Sequence, residues 1–440
     1  MPLTIREYLQ RGLATSKEIQ SATGLSQTAV ARQLRNMGDS VITVREGRSI
    51  IYAATRNAFG GTDNLPLSII DAYGNTVLAA SVRPLAHGGF FIQPAPGMPS
   101  LLLGENKKGL YDDLPYFLFD LSPQGFIGRK IAAEMASQSD EFPADPRRWS
   151  TSHIGRYLVS NGDDLPGNFT FGEQALLRVR RKPIPIPDTH YPALADSVME
   201  GALPGSWAGG EQPKFTAFSE RTSSHVIVKF SPKGDNDLAR RWRDILLTEF
   251  HATEAMHNQD FPAAETRLLE LGGRLFLESQ RFDRAGEYGR MSMVSLLAVD
   301  AEFSGTAAGG WPQVLEALHR KKIISGKHVY TAEFLWNFGK LINNTDMHLG
   351  NLSLAIDGDI FRLLPLYDMC SMGFSPQSGG EVPAYSYVPK ELNKSNFISA
   401  ESLDHIKKMA RDFWERIAAD KRISDEFREF LAQGNPIDLM

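Results

Sequence analysis

The sequence predicts an α+β chain of several domains: a small N-terminal winged helix-turn-helix, a β-rich subdomain and a larger bilobal core. Three observations carry that expectation. The 440 residues exceed what one small core organises. The first 56 residues run helix, helix, helix, hairpin. Farther on, short alternating strand runs to about residue 285 give way to long helical periods. The expected boundaries are residues 1–56, 57–187 and 188–440, the last dividing into a strand-rich part over about 200–285 and a helical part over about 286–440.

In the first module Ile5, Leu9 and Leu13 recur at helical spacing, and Ser16 opens a second helix over 17–22 that Gly24 stops. Ser26 is placed to cap a third helix over 27–37, with Val30 and Leu34 inward and Gln27, Thr28, Arg32 and Arg35 outward. Alternation over 41–45 and 48–52 around Glu46-Gly47 gives a hairpin. In a winged helix the third helix enters the major groove of DNA, and Arg45 and Arg48 on the wing meet phosphate. The competing reading is a module used only for protein contacts.

Charge agrees with the division. The whole chain carries −5, yet residues 1–56 hold eight Lys and Arg against four acids, leaving −9 for the rest. Nucleic acid is therefore expected at the N-terminal module. With 42% hydrophobic and 22% charged residues, wholesale disorder is excluded. No apolar run has the length of a membrane span, and the first residues lack a signal peptide's apolar stretch, so a cytoplasmic location is expected. Cys370 is the only cysteine, which excludes an intrachain disulfide and a cysteine zinc site.

Residues 56–63, polar with Gly60-Gly61, read as a hinge. Strands follow over 67–70, 76–82 and 90–92, then a helix over 128–135. The proline-rich stretch 180–187 reads as an extended connector.

The core carries the chemistry. Asn344-Thr345-Asp346-Met347-His348-Leu349-Gly350-Asn351 is followed by strands over 352–356 and 360–364, a turn at Asp357-Gly358-Asp359, and then Tyr367-Asp368. An Asp, an Asn five residues on and a second Asp beyond a hairpin is how a protein kinase arranges its centre. The first Asp, here Asp346, takes the acceptor's hydroxyl proton; Asn351 and Asp368 hold magnesium on the ATP phosphates. A polar turn is the plain alternative. Lys229 lies in an alternating apolar run over 225–230, as a phosphate-holding strand lysine does, and needs a carboxylate partner. Glu249 is the choice, with Asp244 and Glu254 as alternatives. Ala208-Gly209-Gly210 allows backbone to approach phosphate oxygens. His348 is either a loop brace or an ATP contact, and Cys370 a small buried apolar residue.

Over about residues 65–430 these blocks resemble the HipA-like serine/threonine kinases of bacterial toxin–antitoxin systems. Asn343 to Asn351 matches that family's N-x-T-D-x-H-x-x-N signature, with Tyr367-Asp368 after it. Gly205-Ser206-Trp207-Ala208-Gly209-Gly210-Glu211-Gln212-Pro213-Lys214 resembles its phosphate loop, and Gln280-Arg281-Phe282-Asp283-Arg284 its hinge. The N-terminal module suggests the YjjJ- or HipH-like branch. The resemblance implies a protein-kinase-like bilobal core, ATP and Mg2+ as cofactors, and Lys214 in the phosphate loop. It implies Ser206 as an autophosphorylated serine, the backbone over Gln280 to Phe282 against adenine with Phe282 as an apolar wall, and Tyr367 beside the nucleotide. The run 275–279 before Gln280 reads as an edge strand. Departures are Gln124, where the family's L-L-P-E-G segment has an acid, Gln280 in place of Glu, and an extra residue in the phosphate loop.

The functional expectation is an ATP- and Mg2+-dependent serine/threonine protein kinase of the HipA toxin class with a fused DNA-binding winged helix. Its partners would be a Ser/Thr protein substrate, DNA, and an antitoxin or a second copy of the chain, with no membrane. The rivals are an inactive kinase fold acting as a DNA-binding regulator or nucleotide sensor, and a metal-dependent nuclease or hydrolase using Asp346, His348 and Asp368 with bound DNA.

Overall fold

A computed structural model describes residues 3–46, 49–200, 212–306, 309–377 and 380–439. Arg48 on the expected wing, and Ser206, Ala208, Gly209 and Gly210 of the expected phosphate loop, lie outside the described residues.

The N-terminal module has helices Ile5–Leu9, Ser16–Thr23 and Gln27–Asn36 and a sheet in which Ser49–Ala54 lies between Ala14–Thr15 and Val41–Glu46. Side-chain caps explain the helix starts. Thr4 with Glu7 and Thr15 with Glu18 form reciprocal capping boxes, and Ser26 accepts from the Ala29 amide. The second cap is thus Thr15, one residue earlier than expected. The first helix ends at Leu9, and Leu13 is exposed outside it. Ile5, Leu9, Ile19, Val30 and Leu34 close one small core. Gln27, Thr28, Arg32, Arg35 and Arg45 are all exposed.

The expected hinge over 56–63 is instead a fastened joint. Ile42, Val44, Ile51 and Ala53 of the hairpin pack with Leu85 and Phe91 of the next domain. Phe59 stacks on Phe90 at 5.7 Å. The buried Arg83 donates to the Asp63 carboxylate at 3.1 Å and to the Asp39 carbonyl at 2.5 Å, tying both sides together. Gly60 and Gly61 therefore serve a local turn, both at positive φ, and not a free linker.

The middle domain is an antiparallel sheet in the order Leu110–Tyr111, Phe90–Pro94, Thr76–Pro84, Leu65–Ile70, Phe169–Phe171. Helices Gly125–Gln138 and Thr151–Asn161 accompany it. Its core, with Leu67, Val82, Phe90, Phe117 and Phe171, runs without a break into that of the helical half of the chain.

The strand-rich half of the core is a sheet in the order Thr266–Leu271, Arg274–Gln280, Ser224–Phe230, Lys214–Ser219, Pro185–Ile186. Two expectations change here. The strand leading to Gln280 is internal, not at an edge. The proline-rich connector supplies an edge strand of its own, parallel to Phe218 and Ser219, because an edge tolerates missing amides. The long helix Asp237–His257 packs on this sheet. The helical half comprises Leu296–Phe303, Trp311–Arg320, Gly326–Leu341, Ala400–Ala419 and Asp425–Ala432. The predicted hairpin is present as Ser353–Asp357 and Ile360–Leu363, with Gly358 at φ 61° in its turn. Among the described residues no helix is long and apolar enough to cross a membrane.

Middle domain and core are joined by an ion cluster in which Arg281, Asp283 and Arg284 are buried and Asp164 is exposed. Asp283 accepts from Arg281 at 2.9 Å, from Arg284 at 2.7 Å and from the Gly167 amide at 2.9 Å, while Asp164 accepts from both arginines at 3.1 and 2.8 Å. Burial alone would raise the Asp283 carboxyl, but the two guanidinium groups hold it well below the usual carboxylate range. Replacing Asp283 by Ala leaves two buried cations short of a partner. We expect Asp283→Ala to lower unfolding free energy by about 3–5 kcal/mol in urea titrations. Glu141→Ala, which removes an exposed pair with Arg156, should change it by about 0.5 kcal/mol or less.

Candidate active site

Alternation along Ser224–Phe230 sends Val226, Val228 and Phe230 into a cluster with Tyr191 and Phe276. Lys229 falls on the other face, under the helix Asp237–His257. There it is 4% exposed and donates to Glu249 Oε1 at 2.5 Å, Glu249 itself being 3% exposed. The same ammonium donates to Asp368 Oδ1 at 2.5 Å. Of the alternatives for Glu249, Asp244 is engaged elsewhere, by Tyr385 and Ser424. The carbonyl of Glu254 caps its own helix, accepting from Asn258.

Asp368 is delivered by a chain held on both sides of Leu366, whose amide donates to Pro262 and whose carbonyl accepts from Ala264. Its backbone is left-handed, at φ 54°, a conformation Asp tolerates better than most residues. Lys214 is opposite Lys229 in the strand register, with Nζ 3.9 Å from Asp368 Oδ2. The expectation put Lys214 in the phosphate loop; it begins the strand Lys214–Ser219 instead. Burial would raise Asp368, but Lys229 and then Lys214 outweigh it and hold the carboxyl well below its ordinary range. Burial would lower Lys229, but Asp368 and Glu249 keep it well above its ordinary value. Glu249 is pushed upward, because burial and the Asp368 charge exceed the pull of Lys229.

The other loop follows the helix Gly326–Leu341. Asn343 turns the chain at φ 59°, and Asn344 Oδ1 accepts from the Asp346 amide at 3.0 Å. Asp346 is exposed, with its carboxylate facing solvent. Asn351 Nδ2 donates to the Asp346 carbonyl at 2.6 Å, which fixes its amide and turns Oδ1 the other way. His348 acts as a brace in this geometry. Its Nδ1 accepts from the Gly350 amide at 3.0 Å, its carbonyl accepts from the Trp311 indole at 2.9 Å, and Nε2 is 3.8 Å from Asp346. Tyr367 joins the two loops, its hydroxyl meeting Ser353 at 2.8 Å and the Gly350 carbonyl at 3.1 Å.

Phe282 lies 5.7 Å from the Tyr367 ring, forming an apolar wall. Gln280 is less suited to its expected role. Its amide already donates to the Glu265 carbonyl at 2.8 Å, the Arg281 amide donates to His225 at 2.9 Å, and the Gln280 side chain is exposed. An adenine edge would meet backbone at Phe282. Arg281, Asp283 and Arg284 of the expected hinge belong to the ion cluster described above.

Among the described residues no group of three His, Cys, Asp or Glu side chains converges to hold a metal. The donor set still fits magnesium, a hard cation that takes one or two protein oxygens and completes its shell with phosphate and water. Asp368 supplies a carboxylate and Asn351 a preset amide oxygen. Sequence reasoning missed Thr248, which accepts from the Ser371 amide at 3.0 Å one residue before Glu249. A threonine in the apolar stripe of a buried helix was the available signal.

Residues 61–180 match the family model of the YjjJ-like toxin middle domain, and residues 206–432 that of the HipA-like C-terminal domain. Toxin YjjJ of Escherichia coli strain K12 is 33% identical over 445 residues, covering 98% of this chain and 96% of the relative. Among solved structures, the Shewanella oneidensis MR-1 toxin–antitoxin complex of HipA, HipB and operator DNA matches with a TM-score of 0.53 at 16% identity. That match covers 84% of this chain and 94% of the other. The Helicobacter pylori proinflammatory kinase CtkA matches with a TM-score of 0.35 at 14% identity, over 52% of this chain and 86% of that one.

Lys229 sits against the buried Glu249 carboxylate and the half-buried Asp368 carboxylate, and its loss should be costly. Lys229→Ala should destabilise the ligand-free protein by about 3 kcal/mol or more near neutral pH. Without the ammonium, Glu249 rises further above its unfolded pKa, so the folded state binds the extra proton and stability falls as pH rises. Thermal unfolding should therefore show a larger deficit for the variant at pH 8 than at pH 5.

Proposed function

Because the chain belongs to the HipA-like toxin family, we propose that it is an ATP- and Mg2+-dependent serine/threonine protein kinase with a DNA-binding winged helix at its N-terminus. The observation that carries the reading is the single buried ammonium of Lys229 held between Glu249 and Asp368. No packing requirement explains a lysine at this depth. A site that exchanges Asp368 for phosphate oxygens does.

In this reading Lys229, fixed by Glu249, holds the α- and β-phosphates, and Lys214 adds a second cation at the same place. Ser206, Ala208, Gly209 and Gly210 belong to the phosphate loop by resemblance, with Ser206 the autophosphorylation acceptor. Phe282 and Tyr367 border the base. Asp368 and Asn351 Oδ1 would hold magnesium, whose chemistry is to neutralise charge on the β- and γ-phosphate oxygens. Asp346, exposed, orients the acceptor hydroxyl and takes its proton. Positioning and charge stabilisation supply most of the rate in phosphoryl transfer, so this set is sufficient.

The N-terminal module supports the second half of the proposal. Its third helix exposes Gln27, Thr28, Arg32 and Arg35 together, and Arg45 lies on the hairpin. The HipA match was solved with HipB and operator DNA. An antitoxin protein or a second copy of the chain are the partners this family membership suggests, in a cytoplasmic setting.

Calorimetry on variants separates the roles. Asp346→Asn should bind Mg2+–ATP nearly as wild type does yet transfer phosphate roughly 10²–10⁴-fold more slowly. Asp368→Asn and Asn351→Ala should weaken the metal-dependent part of ATP binding, since each removes an oxygen ligand. A wild-type protein that binds ATP and never transfers phosphate is a nucleotide sensor; one that binds none is not a kinase.

For DNA, replacing Arg45 and Arg48 by Gln should weaken binding to all duplexes alike and reduce the log–log salt slope by about 2. Gln27→Ala or Thr28→Ala should instead change sequence preference. Absence of salt-sensitive DNA binding by the full chain would assign the module to protein contacts.

A further inference from the structure

The helix Asp237–His257 carries more buried polar groups than the presentation of Glu249 requires. Arg241, Asp244 and Thr248, at i, i+3 and i+7, share one face and are all buried. Each grips a residue beyond Asp368. Arg241 donates Nη1 to the Phe374 carbonyl at 2.8 Å and Nη2 to the Pro383 carbonyl at 2.7 Å. Its guanidinium also lies 3.8 Å from the centre of the Tyr385 ring. Asp244 accepts from the Tyr385 hydroxyl at 2.6 Å and from the amide and hydroxyl of Ser424 at 2.9 and 2.6 Å. Thr248 accepts from Ser371.

The gripped segment has little structure of its own. Among the described residues, 375–399 contain no helix or strand, so contacts of this kind set its path. Both Arg241 bonds go to main-chain carbonyls, and they fix the backbone whatever side chains it bears. At its far end the segment is held to the helix that leads into the Asp346 loop. Asn337 exchanges two hydrogen bonds with the Asn393 backbone, at 3.0 and 2.7 Å, and Lys340 donates to the Glu391 carbonyl at 2.9 Å.

We infer that Arg241 is a positioning residue for Lys229: by pinning the Glu249 helix to the chain that leaves Asp368, it makes both carboxylates arrive at the ammonium together. The inference rests on reading Lys229, Glu249 and Asp368 as nucleotide machinery. Arg241 and Glu249 are eight residues apart, about 12 Å along a stiff helix, so a tilt at one is felt at the other. The pairing is then built into the fold and needs no phosphate added to the segment beyond Asp368.

The test uses the full chain and the variants Arg241→Gln, Glu249→Gln, the double variant and Tyr385→Phe. Hydrogen exchange of amides across residues 238–250 should speed up by about tenfold or more in Arg241→Gln, because charge-assisted bonds are lost and local opening becomes easier. Exchange in the middle-domain helix Thr151–Asn161 should stay unchanged. Tyr385→Phe removes one hydroxyl, and should give a smaller rise in the same segment if Arg241→Gln fails to fold. Magnesium-free ATP affinity should fall in Arg241→Gln, and the double variant should bind no more weakly than Glu249→Gln alone. Such non-additivity marks action through Glu249, which general destabilisation does not produce. Unchanged exchange in 238–250 in a folded variant, or additive losses of affinity, overturns the inference. If wild type binds no ATP, the kinase reading falls while the exchange measurement still decides the role of Arg241.

Discussion

One buried ammonium sets the terms for the rest of the core. Lys229 brings a strand, a helix and the turn at Asp368 to a single point. Burying a lysine costs several kcal/mol unless its partners are well placed, and two carboxylates around one cation leave an excess of negative charge. Lys214 offsets that excess from the neighbouring strand. The four groups are neutral together. They remain neutral only while strand register, helix placement and the left-handed turn of Asp368 all hold. The polar grip of Arg241, Asp244 and Thr248 on the following segment is the structural consequence, since the helix and the turn have to move as one.

Two further locks extend this rigidity outward. The Arg281, Asp283, Arg284 and Asp164 cluster joins the middle domain to the strand that leaves the site. Arg83 fastens the N-terminal module to that middle domain through Asp63 and the Asp39 carbonyl. Among the described residues, packed elements and buried charges thus connect helix Gln27–Asn36 to Lys229.

Much of this was legible in the sequence because short-range chemistry determines it. Ser26 as a cap, the Gly358 turn, the alternation around Lys229 and the spacing of Asp346, Asn351 and Asp368 all depend on neighbours a few residues apart. Glu249 was identifiable because a buried strand lysine needs a carboxylate and the next helix offers few. The misreadings have a common cause. Residues 56–63 look like a linker until Phe59 and Asp63 find partners in the middle-domain sheet. The strand before Gln280 looks like an edge until Thr266–Leu271 pairs with it. Arg241 gains its partners only from the carbonyls of Phe374 and Pro383, more than 130 residues away in sequence. Contacts at that separation leave no local signature.

The most direct test of the account is a crystal structure of the full chain with a non-hydrolysable ATP analogue and magnesium. The account predicts that Lys229 keeps Glu249 but releases Asp368 to a phosphate oxygen, and that Asp368 and Asn351 Oδ1 share a cation with the β- and γ-phosphates. Lys229 still bonded to Asp368, with the analogue bound elsewhere or not at all, would contradict it.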